Sequence, residues 1–279
     1  MRATLKSAWW AAPCVVLPAL LAIPALMGQA LLFRDVLHFN LPQQMFAAAA
    51  RAAGRLPLWD PGRYGGAPFF AEPGTGVLYP PNFLFHLLAP PAAATWFVLL
   101  HLPVAGGGAY LLARRLGLVP QAAALAGCGY AASGYLLSMH GGHYYFASAA
   151  LLPLLCALLL RARDGRSAAL AGVICALAVF NGEFQALFFA GIVALVLAVC
   201  APSDRMRGAA WVLVSLLLGA GLGALQLVPT AMFARETVRG AGLSLAEAGL
   251  WPLHPLRWIE LLLPAPFGLP WPENGYWGS

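Results

Sequence analysis

The sequence predicts an all-α polytopic membrane protein, and its composition provides two reasons. Hydrophobic residues make up 61% of the 279 residues and charged residues only 9%, whereas a soluble domain carries about 25% charged residues. Prolines lie inside the apolar runs, as at Pro103 and Pro153, and membrane helices tolerate them because neighbouring groups satisfy the freed carbonyls. Most of the surface is therefore expected to face lipid.

Seven apolar runs predict seven membrane-spanning helices, for which about 20 apolar residues are typical. The first run follows Arg2 and Lys6. It is longer than the apolar core of a signal peptide, about 7–15 residues, so a retained helix is expected. The predicted spans lie near residues 9–33, 92–113, 121–139, 144–160, 167–181, 184–200 and 208–234.

The positions of Lys and Arg predict the orientation. These residues occur in the loops at 1–8, 114–120, 161–167 and 201–207. The short turns at 140–143 and 181–183 contain neither. The positive-inside rule then places the N-terminus in the cytoplasm, and residues 34–91 and 235–279 on the outer side of the membrane. Eight of the ten acidic residues fall on the outer side, which is where a site is expected.

The outer loop, residues 34–91, begins with a predicted amphipathic helix from Leu41 to Arg55. One face carries the apolar residues Leu41, Met45, Ala48 and Ala52. Gln44, Arg51 and Arg55 share another face. Such a helix suits the headgroup layer of a membrane.

Three further segments complete the outer side. Trp59-Asp60-Pro61-Gly62 predicts a turn with Pro at its second position, and a short apolar stretch ends at Leu88. In the outer C-terminal stretch 235–279, the run from Trp258 to Leu263 is typical of a short interfacial helix. Nothing after it closes a helical bundle, so the chain is expected to be an N-terminal portion.

Short motifs follow one another in a fixed order along the chain. They are Asp35-x-x-His38, Gly54-Arg55-Leu56-Pro57-Leu58-Trp59-Asp60, Gly65-Gly66-Ala67-Pro68, Tyr79-Pro80-Pro81-Asn82, Asn181-Gly182-Glu183-x-Gln185 and Gln226-Leu227-x-Pro229-Thr230. With these motifs the sequence resembles bacterial YfhO-type membrane proteins, which belong to the GT-C glycosyltransferases. Members of that family are usually longer, so residues 1–279 would form the N-terminal transmembrane part of a GT-C-like domain.

The resemblance implies a sugar transferase with a polyprenyl-phosphate-linked sugar as donor. The acceptor would be a cell-envelope glycan or lipid, because relatives modify cell-envelope polymers. An acid in the first outer loop is the catalytic base of GT-C enzymes, and Asp35 occupies that position. The family often has a second acid close to the first, whereas here Val36 follows.

The chemistry of sugar transfer points to the same loop. A base must accept the proton of the acceptor hydroxyl, as an ionised Asp35 can. Guanidinium groups suit the phosphate that leaves, because their fork matches its oxygens. The candidate substrate-binding residues are His38, Arg55, Asp60, Arg63, Glu72, His143, Glu183 and Gln185.

Several candidates have a simpler interpretation. Asp35 could cap the helix that follows it or pair with Arg34. Glu183, with Gln185, either faces the site or solvates a helix end, although an ionised group near lipid is costly without a role. His143, with His140, could bind a metal or phosphate, but two histidines in a Gly-containing turn are more often polar groups at the interface.

Two features within the apolar segments are predicted to have structural roles. His101 is predicted to form a hydrogen bond in the core, and Gly106-Gly107-Gly108 is predicted to allow close helix packing because no strand precedes it. No cofactor is predicted, with a divalent metal left as an alternative.

Other function classes remain open. A transporter would need polar residues at mid-bilayer depth along several spans, and these spans are almost free of charge. A non-catalytic scaffold would tolerate the loss of Asp35. Nucleic acid is excluded as a partner because no contiguous basic stripe accompanies the net charge of +6.

Overall fold

The computed structural model describes residues 9–20, 22–32, 35–200, 204–249, 254–263 and 266–268, and within them every regular element is helical. The predicted all-α class is confirmed for this part of the chain. The chain divides into two compact units, Met1–Phe233 and Ala234–Ser279.

Thirteen α-helices occur in the described residues. They are α1 (Ala12–Leu20), α2 (Ala22–Leu26), α3 (Leu41–Ala52), α4 (Leu84–Leu87), α5 (Pro90–Arg115), α6 (Pro120–Ala131), α7 (Gly134–Ser138), α8 (His143–Arg161), α9 (Gly165–Asn181), α10 (Phe184–Val199), α11 (Arg205–Leu222), α12 (Ala224–Arg235) and α13 (Leu245–Ala248). One π-helical turn covers Val36–Asn40. Short 3-10 helices cover Trp9–Ala11, Pro73–Thr75, Pro80–Phe83, Met139–Gly141, Val238–Ala241 and Pro255–Leu261.

Three of the helices, α5, α8 and α11, are long and apolar enough to cross a membrane. The apolar helices α9 and α10 are shorter, with 17 and 16 residues. Within the predicted span 9–33, Leu26 is the last of the described residues that is helical. The predicted span 121–139 is interrupted because α6 ends at Ala131 and Ser133 caps α7, its hydroxyl accepting a hydrogen bond from the backbone N–H of Leu136.

Glycines allow the helices to approach closely. A Cβ atom at Gly106 would lie 2.5 Å from the carbonyl oxygen of Cys14, and one at Gly108 would lie 2.8 Å from the backbone nitrogen of Leu154. These positions bring α5 against α1 and α8. The predicted packing role is therefore confirmed at Gly106 and Gly108, while Gly107 has open space beside it.

Local chemistry explains where the helices begin. Pro90 and Pro120 are the first residues of α5 and α6, positions at which the missing N–H costs nothing. Asp164 and Ser167 form a capping box at the start of α9. The exposed Asp164 carboxylate accepts the Ser167 N–H, and this hydrogen bond lowers the pKa of Asp164.

The unit Ala234–Ser279 contains short helical segments. Ser244 and Glu247 form a capping box on α13. The predicted interfacial helix from Trp258 to Leu263 corresponds to the 3-10 helix Pro255–Leu261, which starts three residues earlier. An ion pair between Arg257 and Glu260, with a nitrogen–oxygen distance of 3.1 Å, bridges one turn of it.

Candidate active site

Asp35 stands at the start of the π-helical turn Val36–Asn40, a type of turn that is rare and is often found at functional sites. Its side chain is half-buried and forms no capping hydrogen bond to that turn. The interpretation of Asp35 as a helix cap is therefore wrong. Arg34, its other suggested partner, lies outside the described residues.

Asp35 lines a pocket of about 310 Å³, here called the Asp35 pocket. Its walls are formed by Asp35, Phe39, Gln43, Arg63, Tyr64, Glu72, Gly74 and Tyr144. A neighbouring pocket of about 350 Å³, here called the His38 pocket, shares Arg63 and Tyr64 with it and adds His38 and Asp60. The fold thus brings five of the predicted residues to two adjoining pockets.

Arg63 is the cation shared by the two pockets. Its Nη2 atom donates to the carboxylate of Glu72 in an ion pair, and its guanidinium carbon lies 5.2 Å from the centre of the Tyr64 ring. The Nη1 atom is buried and has no hydrogen-bond partner within the described residues. Glu72 therefore orients a guanidinium group that still has donor capacity for an anion.

A strained turn presents Tyr64 to the pockets. Tyr64 has a φ of +53°, and Gly65 and Gly66 follow with +78° and +120°. A Cβ atom at Gly66 would lie 2.6 Å from the Trp59 ring. Only glycine fits there, and the ring of Tyr64 is left 80% exposed at the pocket mouth.

Asp60 closes the base of the same turn. Its backbone pairs with that of Ala67 in an isolated bridge, and its Oδ1 atom accepts the N–H of Gly62 at 2.9 Å. The predicted turn is confirmed, and one oxygen of the Asp60 carboxylate is occupied within it.

Helix α3 confirms the predicted amphipathic helix, although its polar side faces protein. Gln44 donates to the carbonyl of Thr75 at 2.7 Å, and Arg51 donates to that of Val77 at 3.0 Å. Burial lowers the pKa of Arg51. Met45, on the apolar side, is 50% exposed. Helix α3 therefore binds the pocket loop through its polar side and presents its apolar side outward.

Arg55 does not share that polar side, contrary to the prediction. Helix α3 ends at Ala52, and the chain turns through Gly54, which has a φ of +68°. Arg55 is exposed and lines a separate pocket of about 410 Å³ with Trp59. It is absent from the residues that line the Asp35 pocket.

The motif Asn181-Gly182 holds two walls of the Asp35 pocket together. The side-chain amide of Asn181 donates to the carbonyl of Tyr144 at 2.8 Å. Gly182 has a φ of +91°, and a Cβ atom there would lie 1.8 Å from the carbonyl oxygen of Pro73. The close approach places the Pro73–Thr75 turn directly against the end of α9.

The second motif, Gln226 to Thr230, anchors the segment just before Glu72. Gln226 donates to the carbonyl of Phe70 at 3.0 Å, and the Thr230 hydroxyl donates to that of Ala71 at 2.8 Å. Helix α12 thus fixes the backbone from which Glu72 reaches Arg63.

Glu183 and Gln185 lie apart from Asp35. Both carboxylate oxygens of Glu183 cap α10, accepting the N–H groups of Gln185 at 3.1 Å and Ala186 at 2.9 Å. These contacts agree with the interpretation in which Glu183 solvates the end of a helix. Its side chain lines another pocket, of about 240 Å³, together with Gln185.

His143 is buried, which contradicts the prediction of an interfacial polar residue. Its ring is 3% exposed and stacks on Phe97 with a centroid distance of 4.5 Å. Neither ring nitrogen has a hydrogen-bond partner in the described residues. Its backbone N–H donates to the Oδ1 atom of Asn40 at 3.1 Å, which ties the Asp35 turn to the start of α8.

His101 confirms its predicted role in the core. Its Nδ1 atom lies 2.6 Å from the carbonyl oxygen of Phe97, which can only accept, so Nδ1 carries the proton. Nε2 therefore accepts from the hydroxyl of Tyr79, 2.6 Å away. Burial raises the pKa of Tyr79, which keeps that hydroxyl protonated.

Several residues of the Asp35 pocket were not predicted as site residues, Tyr144 and Gln43 among them. Tyr144 lies at the edge of a predicted span, where an aromatic residue is usually an interfacial anchor. Gln43 neighbours Gln44 on a helix whose buried side could not be identified from the sequence. Among the described residues, no group of three or more His, Cys, Asp or Glu side chains could hold a metal ion.

Comparison of the chain with protein-family models, with curated proteins and with solved structures finds no match.

Proposed function

We propose that this protein is a membrane glycosyltransferase of the GT-C type. It moves a sugar from a polyprenyl-phosphate donor to a cell-envelope acceptor on the outer face of the bacterial cytoplasmic membrane. In this proposal the chain crosses the membrane seven times, with the N-terminus in the cytoplasm and the loop 34–91 outside. Asp35 is the general base, and Arg63 contacts the phosphate of the donor.

The single observation that carries this proposal is the pocket shared by Asp35 and Arg63. The Asp35 carboxylate has no capping hydrogen bond to satisfy, and Arg63 has a guanidinium nitrogen without a partner in the described residues. A carboxylate that does not cap the following turn, in the same pocket as such a guanidinium group, matches the two needs of the reaction, a proton acceptor and a phosphate partner.

In the proposed reaction the acceptor hydroxyl gives its proton to Asp35 while its oxygen bonds to the anomeric carbon of the sugar. The bond from that carbon to the phosphate oxygen breaks, and polyprenyl phosphate leaves with the electron pair. Arg63 stabilises the negative charge that develops on the phosphate. Glu72 positions Arg63 through their ion pair.

The placement of charge favours this reaction over transport. Helix α5 carries its only charged residues, Arg114 and Arg115, at one end, and its buried His101 is satisfied by two hydrogen bonds. A transport pathway would need polar groups along the spans.

The test uses the chain reconstituted in lipid vesicles with a panel of polyprenyl-phosphate sugars, and follows release of polyprenyl phosphate. Loss of the base in Asp35→Asn should slow release by about 10²- to 10⁴-fold. Asp164→Asn is the control, because Asp164 is exposed and its contacts are confined to the start of α9. An Asp35→Asn variant with the full rate would leave a scaffold as the better interpretation.

A further inference from the structure

A second pair of cavities lies away from Asp35. The first is the pocket of about 240 Å³ that contains Glu183 and Gln185, here called the polar pocket. The second is a groove of about 510 Å³ between α5, α6, α8 and α10, here called the apolar groove. Leu152 and Phe189 line both cavities, so the two adjoin each other.

The apolar groove has the chemistry of a hydrocarbon site. Its lining residues are almost all apolar and include the small residues Ala109, Ala113 and Ala126, several leucines and Val193. The one hydroxyl among its lining residues belongs to Tyr130, and it donates to the carbonyl of Ala149 at 2.7 Å. No unsatisfied polar group therefore opposes a lipid chain in this groove.

The polar pocket has the chemistry of a sugar site. The rings of Tyr135 and Tyr145, 53% and 46% exposed, offer faces on which a sugar can stack. Glu183 and Gln185 provide a carboxylate and an amide beside them. Carboxylate oxygens accept hydrogen bonds from sugar hydroxyls, and a side-chain amide both accepts and donates them.

The polar pocket differs from the Asp35 pocket in the charge of its lining residues. None of the described residues that line the polar pocket is Lys, Arg or His, whereas Glu183 brings a carboxylate. A phosphate headgroup would face that carboxylate with no cation to offset the repulsion. An uncharged headgroup meets no such cost.

We propose that the polar pocket and the apolar groove together bind a glycolipid with a neutral sugar head, its sugar in the pocket and its hydrocarbon chain in the groove. If the proposed transferase function holds, on which this part rests, the glycolipid is the acceptor. Tyr145 lines the polar pocket and Tyr144 lines the Asp35 pocket, and their ring centres are 4.2 Å apart. The two sites therefore meet at this tyrosine pair.

Binding is tested by titrating the detergent-solubilised chain with monoglucosyl diacylglycerol and following its unfolding temperature, which a ligand of the folded state raises. Phosphatidylglycerol with the same acyl chains is the comparison lipid. We expect saturable stabilisation by the glucolipid, at a mole fraction where phosphatidylglycerol has no effect.

Substitutions in the apolar groove and in the polar pocket show where the glucolipid binds. Ala126→Trp fills the apolar groove from an exposed position on α6 and should weaken the apparent affinity about tenfold, or about 1.4 kcal/mol. Leu125→Trp is the matched control, since Leu125 is the adjacent residue, is 75% exposed and does not line the groove. Gln185→Leu should weaken binding of the glucolipid but leave that of unglycosylated diacylglycerol unchanged. Equal unfolding temperatures without lipid establish that each variant is folded.

Two results would overturn this inference: equal stabilisation by phosphatidylglycerol, or an Ala126→Trp variant that binds the glucolipid as the wild type does. A different result would contradict the transferase proposal. Specific glucolipid binding by a chain that transfers sugar from no polyprenyl-phosphate donor would remove the proposed reaction and leave the glycolipid site intact.

Discussion

The Asp35 pocket and the polar pocket each contain a carboxylate at the start of a helical segment, yet the two carboxylates have different environments. Glu183 accepts two backbone N–H groups and caps α10, whereas Asp35 caps nothing and shares its pocket with Arg63. Residue type and position along a helix are alike in the two cases. The hydrogen-bond partners and the nearby cation set them apart, which is why only Asp35 is proposed as the base.

The largest expected difference is between the two carboxylates themselves. Asp35→Asn should lower the rate of sugar transfer by about 10²- to 10⁴-fold, because the proton acceptor is removed, and should leave the unfolding temperature unchanged. Glu183→Gln should reduce stability by about 0.5–2 kcal/mol through a weaker cap and should lower the rate far less than Asp35→Asn does. Single-turnover rates and thermal unfolding of both variants measure the contrast. A rate loss in Glu183→Gln as large as that in Asp35→Asn would contradict it.

Gly182, which precedes Glu183, contacts Pro73 in the turn beside the Asp35 pocket, and a substitution at Gly182 should break this contact. Gly182→Ala should destabilise the protein by about 2–5 kcal/mol, since the left-handed backbone is strained and the new Cβ overlaps the Pro73 carbonyl. Gly117→Ala is a matched control, because Gly117 has the same φ of +91° but open space around it. It should cost only about 1–2 kcal/mol. Similar unfolding temperatures for the two variants would show that the close contact with Pro73 is not required.

A third prediction concerns Arg63, the cation of the Asp35 pocket. Arg63→Met should weaken binding of the phosphate-bearing donor by about 1.5–3 kcal/mol, the usual size of a hydrogen bond to a charged group. The donor KM in a steady-state transfer assay measures this loss. Arg55→Met is the control, since exposed Arg55 lines a different pocket. An equal rise in KM for both variants would indicate a general attraction of anions to the loop rather than a site at Arg63.

The anchoring of Glu72 can be tested with a smaller change. Gln226→Leu removes the hydrogen bond to the carbonyl of Phe70, and the expected loss of stability is about 0.5–1.5 kcal/mol. Hydrogen exchange should speed up in the backbone between Phe70 and Thr75 and stay unchanged in α6. Unchanged exchange in both segments would mean that α12 does not hold this loop.

The smallest expected effect concerns a third carboxylate, Asp164, which caps α9. Its pKa is lowered in the folded protein, so its contribution to stability is present above the ordinary aspartate pKa and is lost as the pH falls through the lowered value. In Asp164→Asn this acid-dependent part of the stability should disappear. Unfolding temperatures of the two proteins between neutral and acidic pH provide the measurement. Parallel pH profiles would show that the capping carboxylate is not coupled to folding.

Much of the local structure was predictable because its causes are local. The turn at Asp60 follows from its Asp-Pro-Gly sequence, the packing role of Gly106 and Gly108 follows from their place in an apolar run, and His101 needed a partner because it is polar in such a run. The break at Ser133 was not predicted. The mean hydropathy of an apolar run changes little with one Ser residue, so it does not reveal that the hydroxyl of this residue caps a new helix.

The site was only partly predictable because it is assembled from distant segments. Burial of His143 depends on its stacking against Phe97, and nothing near His143 in the sequence indicates that contact. The separation of Arg55 from Arg63 depends on where α3 ends and how the chain turns after it. Such outcomes are decided by long-range packing.

The sequence alone determined the helical class, the apolar helices and the concentration of acidic residues in a few loops, because composition, proline placement and hydrophobic runs act within short stretches of chain. The tertiary structure decided which of those acids lie beside a cation. Gly182 against Pro73 and Gln226 against Phe70 join segments more than a hundred residues apart. Only when those contacts form do Asp35, Arg63 and Glu72 line one pocket while Glu183 remains in another.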